Sequence, residues 1–139
     1  MLKVLPIQSK ADQELDCARC GIQYRADALA YRATANDVFV GMCQFKLTDH
    51  GGEIYDIAQL PDKDDFEAMF VMGRAALNFI DLCGVHYAKL VTDKLDESLA
   101  RAIGFTKNEN GIFDVDLTDF FVHPCQHHKE PNPYDTPKQ

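Results

Sequence analysis

The chain has 139 residues, of which 46% are hydrophobic and 26% charged, the balance of one folded domain with a real core. Its 14 Lys and Arg stand against 22 Asp and Glu, a formal charge of -8, and a field of that sign repels phosphate backbones and anionic headgroups. Neither nucleic acid nor membrane is an expected partner, and no apolar run reaches the length needed to span a bilayer.

Met1 to Ser9 is too short, and too interrupted by Pro6, for a secretory signal, so a cytoplasmic protein is expected. Cys17, Cys20, Cys43, Cys83 and Cys125 are odd in number and widely spread, unlike a disulfide framework, and are expected to be mostly reduced. One domain over residues 1–128 is expected, then a loose tail over 129–139 containing Pro131, Pro133 and Pro137.

Leu2 to Ile7 reads as a first strand and Ala11 to Cys20 as a helix closed by Gly21. Ala28 to Thr34, Val38 to Leu47 and Glu53 to Leu60 read as an antiparallel meander, with Asn36-Asp37 and Asp49-His50-Gly51-Gly52 as its turns. Asp64 to Cys83 is a helix: Phe66, Phe70, Gly73, Leu77 and Ile80 fall on one face, Asp64 and Glu67 form a capping-box start, and Gly84 ends it. Gly73 inside that helix implies close packing on the sheet. A strand, Val85 to Thr92, and a helix from Leu95 to Ile103 ending at Gly104 follow. Asn110-Gly111 marks a hairpin before Phe113 to Leu117, and Phe120, Phe121 and Val122 are too apolar to be left in water. The order is β-α-β-β-β-α-β-α-β-β, and the long helix lets the strands on either side of it be parallel neighbours. The fold class is therefore α+β, a mixed sheet of six or seven strands with an antiparallel N-terminal half, a central parallel pair and flanking helices.

That order, with Leu99-Ala-Arg-Ala-Ile-Gly-Phe105 followed by an Asn-Gly hairpin and an alternating strand, resembles the GNAT N-acetyltransferase superfamily over roughly Leu2 to Phe121. The resemblance implies an acyl-CoA, acetyl-CoA or another, lying in an opening between the fourth and fifth strands. Its pantetheine arm would pair with the backbone of Ile57, Ala58 and Gln59. It also implies a glycine-containing loop that holds the pyrophosphate at the next helix start, where unpaired N–H groups suit an anion. Here that place reads Leu60-Pro61-Asp62-Lys63-Asp64-Asp65-Phe66-Glu67, with no glycine and three aspartates, so weak donor binding is expected. The tyrosine that protonates the departing thiolate in many members would stand four residues before Gly104, where this chain has Ala100. Tyr87 is the nearest candidate to replace it.

Strict alternation places Asp56 on one face with Ile54, Ala58 and Leu60, where partial desolvation would favour its taking a proton from an amine. A bulge or strand end would instead let it reach water or a backbone donor. Glu53, with Tyr55 on the opposite face, is the other candidate base. Cys17 and Cys20 share a helical face, and His123 and Cys125 share a face of an extended segment near His127 and His128, so the two pairs could chelate one zinc ion. The alternative, buried free thiols, assigns no metal ligand. Two functions are compatible with these residues. One is acyl-CoA-dependent N-acyl transfer to a small-molecule or peptide amine, and the other is a GNAT-like ligand-binding or protein-interaction module without chemistry.

Overall fold

Local chemistry sets the ends of each element in the computed structural model, which describes residues 1–92 and 94–121. Strand β1 (Leu2–Pro6) leads to helix α1 (Lys10–Cys20), which Ser9 caps by accepting a hydrogen bond from the Asp12 N–H, and which Gly21 closes at φ 72°. Strands β2 (Leu29–Ala35) and β3 (Val38–Thr48) turn at Asn36 and Asp37, whose φ values of 52° and 68° are the pair a two-residue hairpin needs. Strand β4 (Gly51–Gln59) follows, then α2 (Phe66–Leu82), β5 (Tyr87–Leu90), α3 (Glu97–Ile103), β6 (Thr106–Lys107) and β7 (Phe113–Asp116).

These strands form one seven-stranded sheet in the order β1-β2-β3-β4-β5-β7-β6. Every neighbouring pair is antiparallel except β4 with β5, which α2 connects as a parallel crossover. Helices α2 and α3 cover one face, where Phe45, Ile54, Leu77, Ile80, Ala88 and Ile103 are buried together. Helix α1 covers the other, over a smaller cluster of Cys17, Cys20, Ala30, Phe39 and Met42. Among the described residues no helix is long and apolar enough to cross a membrane.

Several sequence expectations need correction. The cap of α2 is Asp65 and not Asp64: its carboxylate accepts from the Ala68 N–H at 3.0 Å. The helix therefore starts two residues late, and Phe66, at its first turn, is 49% exposed while Met69 and Met72 fill the core beside Leu77 and Ile80. Gly51 and Gly52 are strand rather than turn residues, and close packing accounts for the second glycine, since a Cβ on Gly52 would lie 2.6 Å from Ile80 of α2. Gly73 is explained by close packing, with its nearest neighbours on α3 as well as the sheet: a Cβ there would lie 2.5 Å from Ile103 and 3.3 Å from Ile57. Phe120 and Phe121 pack edge to face at 4.8 Å, with Phe120 against Gly104 and under Arg74. The expectations for Val122, His123, Cys125, His127, His128 and the tail 129–139 lie outside the described residues.

Candidate active site

Strands β4 and β5 run together only briefly. Their register holds for Gly52 with Ala88, Glu53 with Lys89 and Ile54 with Leu90, and a last bond runs from the Val91 N–H to the Ile54 carbonyl at 2.9 Å. Beyond it, β4 keeps β3 on one side and opens a gap on the other. Leu60 donates to the Val40 carbonyl at 2.9 Å, and the antiparallel ladder alternates from there. Asp56 and Ala58 share the phase of Leu60 and bond toward β3, whereas the N–H and C=O groups of Ile57 and Gln59 turn to the gap.

A bulge decides which side chains surround that gap. Gln44 pairs with Asp56 but Phe45 pairs with Ile54, so Tyr55 is an extra residue in β4. The extra residue breaks the alternation that would have grouped Asp56 with Ile54. Ile54 and Ile57 both enter the α2 core, and Asp56 emerges on the α1 face, its side chain 18% exposed. There Gln44 Nε2 donates to Asp56 Oδ2 at 2.8 Å and also to the Gln23 carbonyl at 2.9 Å. Gln44 Oε1 accepts from the Arg25 N–H at 3.0 Å and from Gln13 Nε2 at 2.9 Å, and Lys10 Nζ donates to Gln13 Oε1 at 3.0 Å. Gln13 and Gln44 are both buried, so this network fastens α1, the loop after it, β3 and the carboxylate as one unit.

Arg25 completes the group. Its guanidinium lies 4.4 Å over the Tyr55 ring, and its buried Nε makes no hydrogen bond among the described residues, standing 3.8 Å from Asp56 Oδ2. An open cleft of about 300 Å³ lies here, with Gln23, Arg25, Tyr55, Asp56, Thr92 and Lys94 among its walls. Glu53 is one bulge away: it accepts from the Tyr55 hydroxyl at 2.9 Å and lies 4.0 Å from Lys89 Nζ. Burial, then this bond to Glu53, push the Tyr55 phenol up. Tyr87 sits at the closed end of the β4–β5 pair, against Gly51, and donates to Asp114 Oδ2 at 2.8 Å. Burial and that bond push its phenol up as well. Ala100 is fully buried in α3.

The loop entering α2 is ordered from within. Lys63 closes a turn on the Leu60 carbonyl at 2.9 Å, Gln59 Oε1 accepts from the Asp65 N–H at 2.8 Å, and Asp65 takes the Ala68 N–H. A carboxylate therefore already occupies one of the N–H groups that an anion would use, with Asp62 and Asp64 exposed beside it. The fit for a pyrophosphate at this helix start is poor.

Cys17 and Cys20 are both buried on the inner face of α1, Cys17 with its sulfur 4.0 Å from that of Met42. Burial pushes the Cys17 thiol up to about 12 and the Cys20 thiol up to about 11. Among the described residues no three His, Cys, Asp or Glu side chains gather where they could hold a metal ion. A larger hollow of about 540 Å³ lies on the other side of β5, between Leu90, Leu95 and Phe113. Its charged walls, Glu97 and Lys107, face each other at 3.8 Å, and neither Asp56 nor Glu53 lines it.

Gln13, Gln44 and Arg25 are the site residues that sequence reasoning missed. Gln44 carried a signal, since it is the one polar side chain in the run Val38 to Phe45. No family model and no curated protein matches the sequence. Solved structures do match in shape. A GNAT-family acetyltransferase from Brucella melitensis, in complex with acetyl-CoA, matches at TM-score 0.63 and 13% identity over 84% of this chain and 88% of that one. The PaiA N-acetyltransferase of Thermoplasma acidophilum, in complex with coenzyme A, matches at 0.60 and 13% over 84% and 99%. The ribosomal-protein-S18-alanine N-acetyltransferase of Escherichia coli matches at 0.59 and 12% over 82% and 89%.

Proposed function

From a chain with the GNAT fold and a polar cleft over its split strands, we infer that the protein transfers an acyl group from an acyl-CoA to an amine. The observation that carries the reading is the gap after Ile54 and Leu90, with Asp56 held at its rim by a buried glutamine. The backbone of Ile57 and Gln59 offers donors and acceptors to an amide-bearing arm laid in the gap, while Ala58 contributes its small side chain on the α1 face. The acidic loop before α2 leaves the nucleotide end weakly held.

In the reaction, Asp56 takes a proton from the acceptor ammonium, and the neutral nitrogen attacks the thioester carbonyl carbon. The C–N bond forms, the C–S bond breaks, and the second nitrogen proton reaches the thiolate through water. Glu53, already engaged by Tyr55 and Lys89, serves as a reserve base through the same hydroxyl. Tyr87, at the closed end of the strand pair, leaves thiolate protonation to solvent. Holding the two reactants in one cleft supplies most of the acceleration.

Release of CoA from acetyl-CoA, measured with a panel of small amines, amino acids and peptide N-termini, tests the reading. Acceptor-dependent release that falls at least tenfold in Asp56→Asn is expected. Release no faster with any acceptor than by hydrolysis would overturn it in favour of a binding module.

A further inference from the structure

The acceptor's chemistry can be read from the cleft, an inference that rests on the acyl-transfer reading for the cleft's role. Among the described residues its charged walls are Arg25, Asp56 and Lys94, two cations to one carboxylate on a chain of net charge -8. A polyamine or an aminoglycoside brings several ammonium groups, and the described residues of this wall set two cations beside one carboxylate. One ammonium and one anion together match it.

Arg25 is poised for that anion. Stacking on Tyr55 fixes the plane of its guanidinium at 4.4 Å, and its side chain makes no hydrogen bond among the described residues. Its approach to Asp56 is 3.8 Å, too long for the paired bonds of an arginine–carboxylate fork. Asp56 is instead held by Gln44, so the arginine's donors are left for a guest. A flat, pre-oriented guanidinium recognises a carboxylate by two parallel bonds, and one without a partner costs more when the site is desolvated than one that has found it.

We propose that the acceptor is a free amino acid or another small amino-carboxylate, its amine at Asp56 and its carboxylate on Arg25. The products are the N-acylated acid and CoA. The cleft, about 300 Å³, is at the small end for ligand sites and suits a guest of this size. A peptide N-terminus has no carboxylate on the α-carbon of its reacting amine and would leave Arg25 unpaired.

Calorimetric binding of the common amino acids, each against its own carboxamide and against spermidine, is the test, with CoA release measured in parallel. The acid form of at least one amino acid is expected to bind ten-fold or more tightly than its amide. That preference should vanish in Arg25→Gln and return in part in Arg25→Lys, with circular dichroism confirming that both variants fold. An amide or spermidine that binds as well as any amino acid overturns the proposal, as does failure of every amino acid to bind or a preference that survives Arg25→Gln. Acid-selective binding without acceptor-dependent CoA release would keep the ligand class and overturn the transferase reading, so the two failures are distinct.

Discussion

Gln44 Nε2 donates to Asp56 Oδ2 at 2.8 Å from a side chain with no solvent exposure. The strand pairing sets the two opposite each other, and the bulge at Tyr55 turns Asp56 to the α1 face that Gln44 already occupies. Replacing Gln44 by Leu removes the amide but strands its partners: the Arg25 N–H, Gln13 Nε2 and one oxygen of Asp56. Leaving buried polar groups unpaired costs about 1–3 kcal/mol each, so Gln44→Leu should lower the unfolding free energy by about 2 kcal/mol or more. Urea denaturation measures this, and a neutral effect would mean that water replaces the amide.

Asp16 is a buried carboxylate, 1% exposed, with Arg32 Nε and Nη2 at 2.8 and 2.7 Å from the same oxygen. Among the described residues, Arg32→Ala leaves that charge with only Arg19, at 3.9 Å. Removing one partner of a buried pair typically costs about 3–5 kcal/mol, and the exposed side of Arg32 lowers the expected loss to about 2–3 kcal/mol. Asp16→Asn with Arg32→Ala should recover part of it, a double-mutant cycle that thermal denaturation can follow.

Gly41→Ala tests the spacing of β3 and β4. The new Cβ would lie 2.4 Å from the Ala58 carbonyl oxygen and 3.0 Å from the Gln59 Cα, both backbone atoms that cannot swing aside. Overpacking of this kind costs about 1–3 kcal/mol. Because the displaced segment borders the gap, acyl-CoA binding should weaken along with stability, which calorimetry would show.

The buried thiols predict an alkaline limit. Cys17 and Cys43 are pushed up to about 12 and Cys20 to about 11, chiefly by burial with nearby carboxylates adding to it, from an ordinary value near 9. The folded chain therefore holds protons that the unfolded chain releases. Stability from these groups is whole below pH 9 and is lost as the pH climbs toward 11 and 12. A Cys17→Ala, Cys20→Ala, Cys43→Ala variant should show a flatter decline above pH 9. In the native protein at pH 8, peptide mass spectrometry should find Cys83, which is exposed, alkylated long before those three.

Asp62→Asn with Asp64→Asn should strengthen acetyl-CoA binding several-fold without loss of stability, since neither caps the helix. Asp65→Ala, which removes the cap on Ala68, should cost about 1 kcal/mol. Unchanged affinity in the double variant would place the pyrophosphate away from α2.

The order of all ten elements was legible because its signals are local: turn pairs such as Asn36-Asp37, terminators such as Gly21 and Gly104, and the helical spacing of Phe70, Leu77 and Ile80. The site was less so. Ile54, Tyr55, Asp56 and Ile57 read as an unbroken alternating strand up to the last residue, and nothing local marks Tyr55 as the extra one. Strict alternation alone would give Asp56 the wrong face, and the bulge weighed as its alternative is what β4 contains, at a position that only pairing with β3 sets. Gln13 and Gln44 stand 31 residues apart and meet only when α1 docks on the sheet, so their bond has no trace in either segment. At α2, Asp64 and Asp65 are chemically alike, and the Gln59 side chain holding the Asp65 N–H selects between them.

The parallel seam between β4 and β5 is only the stretch Gly52–Ile54 against Ala88–Leu90, while β1 through β4 are laced along their whole lengths. The sheet is thus expected to open as two leaves along this short seam, with α2 as the strap between them. Amide hydrogens of β5 and β7 should exchange through an opening that leaves β2 and β3 protected. An arm bound in the gap would supply the rungs that the seam lacks, joining the leaves into one cooperative unit. Slower exchange across β5 and β7 would then be the mark of an occupied gap, whether or not any chemistry follows.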